Sequence, residues 1–196
     1  MTPRTVAILA FDDMEVLDFA GPYEVFNVAG ELGDGRPFDV FSVGLKPGPT
    51  VGRGGFTVLP TYLLDDAPPS DLLVVPGGAG ARALLDDDRV LSWVRDRAGE
   101  VEMLISVCTG ALVLGAAGLL EDRPATTHHD SFDELAALSP TTTVVRGQRF
   151  VRSAERVLTS AGVSAGVDCS LHVVRLLTDQ RTHDVAVAEM EWGWRS

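Results

Sequence analysis

The sequence predicts an α/β fold, a single-domain sandwich with a mostly parallel central sheet flanked by helices, spanning residues 1–196. Three observations carry this expectation. Short uninterrupted apolar runs at Thr5–Phe11, Leu72–Val75 and Leu104–Val107 each end at a turn signal, as strands buried on both faces do. Segments with helical spacing of apolar residues fall between the strands. The chain has 196 residues, 45% hydrophobic and 22% charged, which is enough for one full core of ordinary globular composition.

Taken in order, Thr5–Phe11 reads as a central parallel strand, followed by a loop, Asp12 to Glu15. A helix is expected from Gly21-Pro22, with Tyr23, Val25, Phe26 and Ala29 on one face, because proline suits a first helical turn. Asp18 then lies just before that helix, at the carboxyl end of the first strand. Open α/β sheets bind ligands along this edge. A solvated loop carboxylate or a helix cap is the plainer reading of the same residue. Phe38–Val43 alternates and reads as a strand. Pro47 to Gly55 reads as a loop with a short hairpin into Phe56–Leu59. Leu72–Val75 stops at Pro76-Gly77-Gly78-Ala79-Gly80. Glycines at a strand end permit close ligand approach, and their N–H groups can form an anion-binding concavity, although a plain turn has the same composition. The Gly-Lys-Ser/Thr ending of a P-loop is missing.

Asp88 to Arg97 is expected to be helical, with Val90, Leu91 and Val94 inward. Ser131 and Glu134 have capping-box spacing at the start of a helix running to Leu138. Thr143–Val145, Phe150-Val151 and Arg156–Thr159 read as short strands near the far edge. A long helix from Val167 to Leu177 places Cys169 and His172 in core packing, and a last helix covers Asp184 to Glu191.

Charge and cysteine content narrow the function. A net charge of -12 argues against nucleic acid and anionic membrane surfaces, which need a basic face. The two cysteines, Cys108 and Cys169, do not make a disulfide framework, and the N-terminus lacks a signal-peptide pattern, so a reduced, cytoplasmic compartment is expected. Leu104–Leu120 is uncharged for 17 residues, at the lower edge of a membrane span, but its glycines and Ser/Cys/Thr group fit strand–turn–helix better.

That stretch organises the chain. Leu104–Val107 is a strand, Cys108 a one-residue corner, and a small-residue helix begins near Thr109. Backbone N–H groups at a helix start favour negative charge, so a stabilised, reactive thiolate is expected at Cys108. The arrangement is a thiol version of the nucleophile elbow. The alternative is a buried small hydrophobe. His128 and His129 are adjacent and point in different directions on any regular element. A paired metal site is therefore not expected, though one of the two can face Cys108.

Pro76-Gly77-Gly78, Ser106-Val-Cys-Thr-Gly110, Ala125-Thr-Thr-His128 and Thr159-Ser-Ala-Gly162 together resemble the ThiJ/PfpI superfamily in order and spacing. The resemblance covers Val6 to about Glu191. It implies a flavodoxin-like, class I glutamine amidotransferase-like fold. Leu17-Asp-Phe-Ala-Gly-Pro22 and Cys-Thr-Gly, where protease-like members have Cys-His-Gly, look like the isocyanide hydratase branch. The resemblance implies Cys108 as nucleophile, with Asp18 and Thr109 as its catalytic partners. It also implies substrate or oxyanion contacts at Gly77, Gly78, Thr109 and His128, with the Gly78 N–H facing the cysteine. No metal and no organic cofactor are implied. The expected partners are a small-molecule substrate and a second copy of the chain in a homodimer. Three functions stay open: addition of water to an organic isocyanide, ligand sensing without turnover as in AraC-type regulator domains, and a redox or stress role for an oxidisable cysteine.

Overall fold

The computed structural model describes residues 2–193. Its elements in chain order are β1 (Arg4–Ala10), α1 (Val16–Leu32), β2 (Phe38–Gly44), β3 (Thr50–Val51), β4 (Thr57–Val58), β5 (Tyr62–Leu63), β6 (Leu72–Val75), α2 (Asp88–Glu100), β7 (Met103–Val107), α3 (Gly110–Ala116), β8 (Pro124–Ala125), α4 (Phe132–Leu138), β9 (Thr143–Val144), β10 (Phe150–Ala154), β11 (Val157–Ser160), α5 (Ala165–Leu177) and α6 (Gln180–Glu189). Seven strands form the main sheet in the order β10-β11-β7-β6-β1-β2-β5. All neighbours are parallel except the β10–β11 hairpin at one edge. β6 is buried along its whole length, and β1 from Val6 onward, as strands covered on both faces must be.

Helices α1, α5 and α6 pack together, and α2, α3 and α4 form a second group. The layers meet at close range where side chains are small. A Cβ on Gly110 would lie 2.1 Å from the Val75 carbonyl oxygen, so only glycine lets α3 start against β6. Asp87 caps α2 by accepting the N–H groups of Arg89 and Val90, and Val90, Leu91 and Val94 are its buried face. Cys108 and Cys169 are both free and buried. No described helix is long and apolar enough to cross a membrane.

Three expectations change. Helix α1 begins at Val16 rather than at Gly21-Pro22, so Asp18 sits in its first turn and Pro22 inside the helix. Proline in a helix interior lacks the N–H that would bond four residues back, here to the Asp18 carbonyl. Strand β9 does not join the main sheet; it pairs with β8 in a separate two-stranded parallel ribbon. The last helix starts four residues early, because Asp179 accepts the Thr182 N–H and caps it there.

The chain leaves β1 for β2 on one side and later returns to β6 on the other. The carboxyl ends of β1 and β6 therefore border the crevice where the winding direction reverses, the place where open α/β sheets accept ligands.

Candidate active site

Four loops meet at that crevice. Cys108 follows β7 directly and has φ +57°, a left-handed backbone that a non-glycine residue adopts only where its surroundings enforce it. Its N–H donates to the carbonyls of Ser160 and Ala161, both at 3.2 Å. Its own carbonyl accepts from Thr127 Oγ1 at 2.8 Å. The corner is thus held from two sides, and the thiol is 6% exposed.

Asp18 is fully buried. Its Oδ2 accepts the Gly77 N–H at 3.1 Å. Its Oδ1 has no well-formed hydrogen bond within the protein, and the Cys108 thiol is the polar side chain that lies against the carboxyl. Gly78 has φ +124°, and a Cβ there would lie 2.3 Å from the Glu15 nitrogen, so the position demands glycine. Thr109 is locked to it: the Thr109 hydroxyl accepts the Gly78 N–H at 2.8 Å and lies 3.0 Å from the Gly78 carbonyl, to which it can donate.

The structure therefore brings Cys108, Asp18, Thr109, Gly77 and Gly78 together, but not in the expected roles throughout. The N–H groups of Gly77 and Gly78 do not wait for a ligand; Asp18 and Thr109 already occupy them. The donors that act on the sulfur are the backbone N–H groups of Thr109 and Val163. Val163 also acts on Asp18. It has φ +51° and follows Gly162 in the turn leading to α5. Sequence reasoning missed it, because a valine chosen for the direction of its backbone N–H leaves no side-chain signal.

A cavity of about 330 Å³ opens onto the thiol, with Gly78, Thr109, His128 and Val163 in its walls. Its rim is charged. Arg53, from the β3–β4 hairpin, pairs with Glu15 at 2.6 Å. Arg82 binds Glu134 in two-pronged fashion at 2.9 and 2.5 Å and reaches Ser131 Oγ at 3.3 Å. The expected Ser131–Glu134 capping box is consequently not formed: Ser131 makes no side-chain cap bond, since Arg82 draws both side chains toward the cavity. His128 lines the cavity while His129 is exposed. Contrary to the expectation that the two rings diverge, their centroids are 4.2 Å apart. They stand at a short 3-10 turn (His129–Ser131), where the side-chain directions of a regular helix or strand do not hold.

Electrostatics overturns the expected resting thiolate. Burial first, and then the neighbouring Asp18 charge, push the Cys108 thiol up to about 12. Burial likewise raises the Asp18 carboxyl to about 7, opposed by its bonds to Cys108 and Gly77. Desolvation outweighs the start of α3, which has only seven residues. At neutral pH the sulfur keeps its proton, and Asp18 is poised between its two forms.

The profile of the DJ-1/PfpI family matches residues 4–176. The chain belongs to the DJ-1/PfpI family. Among DJ-1/PfpI relatives, the isonitrile hydratase of Pseudomonas putida is 33% identical over 191 residues, covering 96% of this chain and 78% of that protein. A ThiJ/PfpI family protein from Pseudomonas syringae superposes with a TM-score of 0.88 at 30% identity, covering 100% of this chain and 78% of the other. A helix-turn-helix-type transcriptional regulator of Pseudomonas aeruginosa is 24% identical over 172 residues, 88% of this chain but 46% of the regulator.

Proposed function

We propose that this DJ-1/PfpI protein adds water to an organic isocyanide, R–NC, giving the N-substituted formamide R–NH–CHO. One observation carries the reading: a buried carboxyl with an unpartnered oxygen, raised to about 7, lies against a thiol at the floor of a cavity. A carboxyl whose proton affinity matches neutral pH is suited to general acid–base work. That the Pseudomonas putida relative is an isonitrile hydratase supports the same chemistry.

Asp18, as carboxylate, takes the thiol proton while the sulfur attacks the terminal isocyanide carbon, forming the S–C bond. The same proton passes from Asp18 to that carbon, leaving a thioimidate. Asp18 then accepts a proton from water as the oxygen adds to the thioimidate carbon. The C–S bond breaks, one water proton ends on nitrogen and the other returns to sulfur. The N–H groups of Thr109 and Val163 stabilise negative charge on the sulfur as it leaves. This assigns Cys108 and Asp18 to bond making and proton transfer. Thr109 positions Gly78 and supplies an N–H. Gly77 holds Asp18, and His128 forms a wall of the substrate cavity. The two unpaired cysteines fit a reduced, cytoplasmic setting, and a homodimer is the assembly we expect of a chain of this family.

The test is formamide production from an alkyl isocyanide, followed by mass spectrometry. Turnover by the wild type and background levels with Cys108→Ala are expected; a wild type without turnover discards the reading. The second reading is ligand binding without chemistry. The high proton affinity of the resting thiol favours it, as does likeness to a transcriptional regulator. A rise in Tm with an isocyanide or formamide, without product, would decide for it. The redox role loses its premise, because the thiol is raised rather than lowered and a protonated sulfur oxidises slowly.

A further inference from the structure

At the mouth of the Cys108 cavity, three consecutive side chains place metal-binding atoms side by side. His128, His129 and Asp130 each offer one ligand atom, and these lie within 4.8 Å of one another. The closer approaches centre on the carboxylate. His129 Nε2 is 3.2 Å from Asp130 Oδ1, and His128 Nδ1 is 3.8 Å from Asp130 Oδ2. Nitrogen and oxygen ligands about 2.1 Å from a tetrahedral zinc ion are about 3.4 Å apart. His129 Nε2 and Asp130 Oδ1 therefore already stand near that spacing, and the wider separations, all within 4.8 Å, close through rotation of side chains that are 75% (His129) and 77% (Asp130) exposed.

We propose that His128, His129 and Asp130 form a binding site for a divalent transition ion of the zinc class, guarding the entrance to the Cys108 cavity. Two imidazoles and a carboxylate are a donor set for zinc, and the single carboxylate charge offsets part of the ion's own. His128 is anchored rather than loose. Its ring packs against Gly162, where a Cβ would come within 2.3 Å of its Cδ2, and its Nδ1 accepts the Asp130 N–H at a long 3.3 Å. The ion replaces that weak bond. His128 and Asp130 both line the cavity with Cys108, so an ion held there stands in the path of a reagent approaching the thiol. The 3-10 turn has already brought the two imidazoles together, with ring centroids 4.2 Å apart.

The experiment uses zinc itself and does not depend on isocyanide turnover. Calorimetry on Cys108→Ala, which removes the thiol as a competing ligand, should show one ion bound per chain. His129→Ala and Asp130→Ala, both exposed positions whose folding is checked by circular dichroism, should each weaken binding at least about tenfold. In the chain with Cys108 intact, zinc should slow alkylation of that thiol, and His129→Ala should abolish the protection. Zinc binding unaffected by either surface substitution overturns the proposal. So does binding lost in Cys108→Ala, or protection that persists in His129→Ala, since either makes the thiol the ligand.

Discussion

The proposed chemistry turns on one oxygen atom of Asp18. The carboxyl is buried, one oxygen is satisfied by Gly77, and the other is left to the thiol. Asp18→Asn keeps the size and the Gly77 contact but cannot shuttle a proton. Its kcat for isocyanide hydration should fall about 10²–10⁴-fold, with KM little changed, as read from initial rates. Thr109→Val removes the hydroxyl that satisfies Gly78, leaving a Gly78 N–H without its partner. A loss of about 1–3 kcal/mol in denaturant unfolding is expected. At this scale the sequence revealed much of the site. A cysteine ending an apolar strand, a threonine and a glycine after it, and an aspartate near the first strand's end were all visible. The proton inventory was not. The sequence suggested a thiolate from the helix start, whereas the structure buries the sulfur beside a carboxyl, and the depth of burial is a property of packing.

Among the elements, the site depends on how loops enter helices. The sequence placed strands and helices near their true positions because apolar runs and periodicity are local signals. It misplaced the start of α1 because Pro22 favours a first turn, whereas here Val16–Gly21 packs as a helical turn ahead of it. The capping box failed for a related reason. Ser131 and Glu134 have the right spacing, but Arg82, some 50 positions earlier, binds both. Long-range partners of this kind leave no mark in local sequence. Arg82→Ala should free Ser131 and Glu134 and loosen α4 against the turn after β6, which faster amide hydrogen exchange in Phe132–Leu138 would report. Gly162 illustrates the opposite case. Its glycine was visible as part of a motif, but its purpose, making room for the His128 ring, rests on a contact between residues distant in sequence. Gly162→Ala should force the ring to move and cost about 1–3 kcal/mol in stability by crowding a packed contact.

For the molecule as a whole, Asp18 ties stability to pH. Its folded value of about 7 lies above the 3.8 of an exposed carboxyl. Between those values the folded chain holds a proton that the unfolded chain has released. Stability from this group is therefore full below about pH 4, declines as pH rises toward 7, and stays low above it. Asp18→Asn, always neutral, lacks this dependence. The variant should be more stable than the wild type at pH 8 by a margin on the order of a few kcal/mol, which vanishes near pH 4. Thermal unfolding of both chains across that range measures it, and equal pH profiles would show that Asp18 is not strained by burial. Fold class, strand alternation and family were legible at this scale. The reversal of winding between β1 and β6, which sets the crevice, was not, because strand order depends on pairings distant in sequence.

The four loops at the crevice follow β1, β6, β7 and β11, and the last of them carries Val163. During synthesis the ribosome must release most of the polypeptide before sulfur and carboxyl find each other in their finished surroundings. An emerging chain thus holds an ordinary thiol and an ordinary acid, and their shifted proton affinities arrive only with the closing turn. Truncation before that turn should leave a protein fragment that carries both Cys108 and Asp18 in its sequence and shows no isocyanide hydration.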